Sequence, residues 1–361
     1  MKKWLLVISL LFLIVCHIEA AEQHKYVRKS GNDGNGGTSW ADAWLTIQHA
    51  ADNANPASGT PITIHVAAGT YAEQVDIDTY AGTDDDNRII YDGDVENDSG
   101  DGATRPIVDG EDTRNRCLGI QVKSYITIQD FEAKRDAGGA DIQWEVGATY
   151  ITIQRCIVHD GNIGISSYNA SAINAYIKII NNIIYNTLVG INVHNARYLE
   201  IYNNVIYGCT LTGIYLQATS SYATVKNNIS HNNSPSQINI QANSQTGLVS
   251  DYNDWFKDAG TYTGVWGATN CSALSDWQTA SSQDANSQEG DPLYVDEAGD
   301  DFHITDNASP CYQTGVDLSA TFTDDYDKDT RVHWDIGADY IVTTGAPPEA
   351  PKVQSQILIL E

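Results

Sequence analysis

Two side chains able to move protons, Tyr168 and His194, occupy the same place in successive copies of a short motif, Gly164-Ile-Ser-Ser and Gly190-Ile-Asn-Val. If the isoleucines and valines line one face of a strand, alternation sends Ser166 and Asn192 into one outward column and Tyr168 and His194 into the next. A phenol and an imidazole on neighbouring rungs suit β-elimination, which needs a base at an acidic C–H, an acid for the leaving oxygen and a group to neutralise the adjoining carboxylate. Tyr168 and His194 are the predicted catalytic pair, with Asn192 beside them and Arg197 just past the strand for neutralisation.

Extended to related motifs, the first column reads Gln121, Gln143, Ser166, Asn192, Tyr215 and Asn239, and the second Lys123, Glu145, Tyr168, His194, Gln217 and Gln241. Amides and aromatic rings in such a row suit sugar hydroxyls and ring faces, so Lys123, Gln143, Glu145, Asn192, Arg197, Tyr215 and Gln217 are the predicted substrate-binding set. An ordinary solvent face of a strand is polar too. Hydrolysis would need two carboxyl groups roughly 5–9.5 Å apart. Asp141 and Glu145 share a strand face but lie about 13 Å apart by strand rise, which leaves Glu145 as the expected ion-pair partner of Lys123. The loops around Asp84-Asp-Asp, Asp92-Gly-Asp94 and Asp98-Ser-Gly-Asp101 offer oxygen ligands for Ca²⁺ without the ordered spacing of an EF-hand, so no residue is assigned to a metal.

These columns need a scaffold that repeats. Tyr125-Ile-Thr-Ile, Tyr150-Ile-Thr-Ile, Tyr176-Ile-Lys-Ile, Tyr198-Leu-Glu-Ile and Tyr222-Ala-Thr-Val recur at about 24 residues, too short for the common helical repeats. The last three are followed by Asn181-Asn182, Asn203-Asn204 and Asn227-Asn228, and then by the motifs carrying the columns. Three alternating strands per unit cannot bury one face alone but can stack on copies of themselves. The predicted fold is therefore all-β, a right-handed parallel β-helix. Its second Asn column (182, 204, 228 and 253) should point inward as an amide ladder that starts at Asn182, because Cys156 holds the place one rung earlier. The tyrosine column reads as structural stacking. Ile47, Ala50, Ala51 and Ala54 have helical spacing and suit a short N-terminal capping helix. Past Asp254 the period fades into an irregular C-terminal cap.

The 361 residues carry 20 Lys+Arg against 47 Asp+Glu, a net charge of −27, which disfavours nucleic acid. Residues 1–20, with Lys2-Lys3 ahead of an apolar run to Cys16, have the grammar of a secretory signal. No later segment approaches the ~18 apolar residues of a membrane span. The expected protein is secreted, periplasmic or held at the cell surface, with its domain at 21–341 and a Pro-rich tail at 342–361. Oligomeric state stays open. Of the five remaining cysteines, Cys271 and Cys311 are expected to pair in the loop-rich cap, and Cys156 to be buried and free.

Three stretches then resemble secreted β-helix proteins of the pectin lyase-like superfamily. They are Gly31-Asn-Asp-Gly-Asn-Gly-Gly-Thr with Ile64-His-Val-Ala-Ala-Gly-Thr-Tyr, the Tyr-Ile-x-Ile…Asn-Asn-x-Ile…Gly-Ile units, and Asp301-Phe-His-Ile with Asp335-Ile-Gly-Ala-Asp-Tyr. The resemblance implies a polysaccharide partner engaged along the third strand, with a polysaccharide lyase acting on uronate glycans as one outcome and a non-catalytic carbohydrate-binding or surface scaffold as the other. The chain departs from the superfamily at Cys311-Tyr312 and at Asp325-Tyr-Asp-Lys-Asp-Thr-Arg. It also lacks the Gly-His-Gly and paired-Asp signature of its galacturonan hydrolases and the clustered arginines of its calcium-dependent lyases, so no catalytic residue carries over.

Overall fold

The computed structural model describes residues 22–56, 60–145, 147–167, 173–257, 261–304 and 307–341. The predicted signal segment, the predicted tail and Tyr168 lie outside the described residues.

Three parallel sheets wrap one core. The first has nine strands running from Gln23–Val27 to Val249–Asp251, and the second has seven from Thr70–Tyr71 to Ile229–His231. The third has nine, from Val75–Ile77 to Tyr262–Trp266 and the antiparallel Thr269–Cys271. Each coil contributes one strand to each sheet, as in Asn174–Ile180, Ile183–Tyr185 and Val189–His194. Register follows the inward residues. Ile151, Ile177 and Leu199 align in the first sheet, and Ile142, Ile165, Ile191, Ile214 and Ile238 in the third. All are fully buried, so the stacked β-branched layers form one continuous core.

The two asparagines of each pair do different work at the turn between the first and second sheets. Asn181, Asn203 and Asn227 take left-handed backbone (φ 54°, 51° and 57°), which asparagine tolerates better than most residues. That turn aims the second asparagine inward. Nδ2 of Asn182 donates to Oδ1 of Asn204 (2.9 Å), Asn204 to Asn228 (3.0 Å) and Asn228 to Asn253 (3.0 Å). The ladder starts where expected, with Cys156 supplying only its backbone N–H to Asn182 Oδ1. It ends on the buried Asp284 carboxylate, which also accepts from the indoles of Trp255 and Trp277.

At the corner before the first sheet, Tyr125, Tyr150, Tyr176, Tyr198 and Tyr222 also sit at φ near +55° to +58°. Their rings stack with centroids 4.4, 4.7, 5.0 and 5.5 Å apart. Each ring covers its neighbour's face, leaving edges rather than platforms in contact with solvent.

Helix Ile47–Asn53 closes the N-terminal end, burying Ile47, Ala50 and Ala51 and capped by Thr46 Oγ1 accepting from His49 N. The C-terminal region divides in two. Helix Leu274–Ser281 closes the end of the helix with Trp277. The chain beyond it folds back along the outside of the second sheet, where Phe302, Ile304, Cys311, Tyr326 and Ile336 bury Ile183, Tyr185, Val205 and Ile229. The C-terminal region is thus a lateral cover as well as a cap. All five described cysteines are free and buried. The expected Cys271–Cys311 bridge is not formed, because Cys271 belongs to the main core and Cys311 to the lateral cluster, where its thiol donates to Asp254 Oδ2 (3.2 Å).

Candidate functional site

The outer face of the third sheet carries the predicted columns. Gln143, Ser166, Asn192, Tyr215 and Asn239 are in register, as are His194 and Gln217. One rung differs. Leu118, not Ile120, aligns with Ile142, so Gly119 rather than Gln121 stands opposite Gln143.

This two-residue shift brings in groups absent from the predicted set. Nothing projects from Gly119, and Arg116 lies across the gap, its Nε 2.4 Å from where a Cβ would stand. The guanidinium donates to Asp76 Oδ1 (2.7 Å), Gln143 Oε1 (3.2 Å) and Glu145 Oε1 (3.0 Å). Glu145 therefore pairs with Arg116, and the amine of Lys123 donates instead to the Thr79 carbonyl (3.2 Å). Although partial burial opposes it, hydrogen bonds from Gln74 and Arg116 hold the Asp76 carboxyl below the usual carboxylate range. Asp76 and Glu145 approach one another through a shared cation. A carboxyl held low, as Asp76 is, is poorly suited to be the protonated acid that glycoside hydrolysis needs.

Asp141 does not share the face with Glu145. It is fully buried, with Oδ1 accepting from Asp136 N (3.1 Å) and Oδ2 without a partner among the described residues. Burial, reinforced by the Asp136 charge, pushes its carboxyl well above the normal range.

Further along, Gln217 Nε2 donates to both Asn192 Oδ1 (2.7 Å) and His194 Nε2 (2.9 Å), and Gln241 Nε2 to Tyr215 Oη (2.8 Å). His194 is 9% exposed and Asn192 8%, whereas Tyr215, Gln217, Asn239 and Gln241 are only half-buried. Burial lowers the His194 pKa, keeping the imidazole neutral, and its Nδ1 has no partner among the described residues. Arg197 is exposed on strand Ala196–Tyr202 of the first sheet, around the corner from this face.

The acidic loops are occupied by their own contacts. Asp84 accepts from Asp86 N (3.1 Å) and Asn87 Nδ2 (2.6 Å), Asp94 from the N–H groups of Asp98 and Ser99, and Asp101 pairs with Arg28. Among the described residues, one group brings three metal-ligand atoms within 4.8 Å of one another, namely His303, Asp327 and Asp339 on the lateral segment. Both ring nitrogens of His303 already face carboxylates, Asp327 and Asp301, which raise its pKa to about 10. No helix among the described residues is long and apolar enough to cross a membrane.

With sheet order and site in view, comparison with known proteins defines the class. The family profile "Right handed beta helix region" matches residues 114–276, which span the Asn ladder and most of the third-sheet face. The chain folds as a right-handed parallel β-helix, the architecture that this profile describes. Comparison with curated protein sequences gives no match. Similar solved structures include XylC in complex with xylose, 15% identical over 67% of this chain and 68% of that one (TM-score 0.49). Pectate lyase Pel9A is 14% identical over 89% and 96% (0.43), and a rhamnogalacturonan lyase 12% over 67% and 75% (0.42).

Proposed function

We propose that this is an exported β-helix protein that engages polysaccharide along the outer face of its third sheet. The observation that carries the reading is the half-open stretch of Tyr215, Gln217, Asn239 and Gln241. There, the amides of Gln217 and Gln241, bonded to each other, to Asn192 and to the Tyr215 phenol, present donors and acceptors at successive rungs of a rigid support. Side chains fixed before binding lose little entropy when sugar hydroxyls replace water. Export rests on the Lys2-Lys3 and apolar grammar of residues 1–20. Affinity electrophoresis against a panel of soluble polysaccharides tests the reading. At least one polymer should retard the protein, and Tyr215→Ala should abolish the retardation with the fold intact. Free migration in every gel would sink it.

A second reading, β-elimination on a uronate glycan by Tyr168 and His194, is favoured by the neutral imidazole, since an uncharged His194 is available as a base. It expects ultraviolet absorbance from an unsaturated product, lost in Tyr168→Phe and nearly unchanged in Glu145→Gln. Activity that survives Tyr168→Phe would remove that pair.

A further inference from the structure

We infer that the polysaccharide taken by the third-sheet face is an uncharged one, such as a glucan, mannan or xylan, and not a uronate polymer. This rests on the reading of that face as the glycan-binding surface.

Charged residues make up 19% of the chain. Yet the third-sheet strands Ile163–Ser167, Val189–His194, Thr212–Gln217, Ser236–Ile240 and Tyr262–Trp266 contain no Asp, Glu, Lys or Arg. The first-sheet strands of the same coils do carry charge, with Lys178, Arg197, Glu200, Lys226 and Asp251. The second-sheet strands Ile183–Tyr185, Val205–Tyr207 and Ile229–His231 are uncharged too, but the lateral segment covers them, which leaves the third sheet as the uncharged face that is open. The imidazole of His194 is buried and accepts a hydrogen bond from an amide.

The two cations at the N-terminal end of the face are already engaged. Arg116 lies between Asp76 and Glu145, so that trio is net negative, and the Lys123 amine is tied to a main-chain carbonyl. In salt near 0.15 M, charges farther than about 8 Å are largely screened, so the local face decides more than the overall −27. A uronate carboxylate laid on it would lose water and gain no cation from these strands, an uncompensated desolvation. Neutral sugar hydroxyls both donate and accept, as do the Asn and Gln amides and the Tyr215 hydroxyl.

The test runs the full protein through affinity gels of soluble neutral glucan, mannan and xylan beside polygalacturonate and alginate, at low and high salt without added Ca²⁺. We expect at least one neutral polymer to retard it, with little change between the salts and loss in Tyr215→Ala. Neither uronate polymer should do so. Gln217→Lys, which places a cation on the row, should weaken neutral binding and create uronate retardation that disappears at high salt. Tyr215-dependent retardation of the wild type by a uronate polymer equal to or stronger than that by every neutral one overturns the inference while leaving the face as the binding surface. Retardation by no polymer removes the parent reading and the inference with it.

Discussion

Replacing Asn204 with leucine strikes the amide ladder in its middle, with an amide neighbour on either side. Its Nδ2 donates to the carbonyls of Ile179 (2.9 Å) and Tyr202 (3.0 Å) and to Asn228 Oδ1 (3.0 Å), and its Oδ1 accepts from Asn182 N (3.0 Å) and Nδ2 (2.9 Å). Leucine fills similar space and makes none of these bonds. Some partners keep another contact: Tyr202 O still receives Asn181 N, Asn182 Nδ2 still reaches Ile153 O, and Asn228 Oδ1 still accepts from the main chain at 204. The Asn182 main-chain N–H, fully enclosed, loses its acceptor outright. One orphaned buried donor at ~1–3 kcal/mol plus several weakened bonds gives a loss of about 3–5 kcal/mol. In a chain of this size that corresponds to a melting midpoint lower by roughly 5–10 °C. Asn182→Leu, at the ladder's end with fewer bonds to lose, should cost about half as much. Thermal melts followed by far-ultraviolet circular dichroism would read both. A midpoint unchanged in Asn204→Leu, or a larger loss in Asn182→Leu, would refute the cooperative ladder.

Asp254 is fully buried, and burial raises its carboxyl to about 7 in the folded state against 3.8 for a free side chain, so folding favours the protonated form. This group's stabilisation is complete at low pH and is lost as pH rises toward 7, by about 4 kcal/mol at most. Asp254→Asn should therefore show a smaller fall in midpoint between pH 5 and 8 than the wild type, and equal falls would contradict the assignment. The five described cysteines should resist an aqueous thiol reagent in the native protein and all react after unfolding without reductant, and recovery of a Cys271–Cys311 peptide would count against the buried free thiols. Gly119→Ala should evict the Arg116 guanidinium from between Asp76 and Glu145 and destabilise by about 1–2 kcal/mol. Carboxyl NMR should then show Asp76 titrating higher than in the wild type, with the part of the depression that Gln74 supplies still in place, and an unchanged titration would mean that the arginine does not contribute.

Much of this molecule was legible because a β-helix is local in sequence. Each strand pairs with one a single repeat away, so motif alignment of Gly164-Ile-Ser-Ser with Gly190-Ile-Asn-Val gave the true register. Degeneracy at Gly119-Ile-Gln-Val hid one rung, because Leu118 and Ile120 are equally good inward residues. Only the place where Arg116 reaches Asp76 and Glu145 distinguishes them. Aligning the earlier rung on Leu118 would have put a glycine in the column and flagged the arginine beside it.

The period, the inward isoleucines, the asparagine ladder and its start at Asn182 are fixed by the chain's own repeat, since identical units can satisfy their backbone and core only by stacking. What lies outside that repeat needed the tertiary structure. The return of residues 291–341 along the second sheet, the separation of Cys271 from Cys311 and the seclusion of Asp141 depend on contacts between segments of no shared pattern. The same holds for the pairing of Glu145, because a long arginine side chain chooses among carboxylates by distance in space, and sequence spacing does not record that distance.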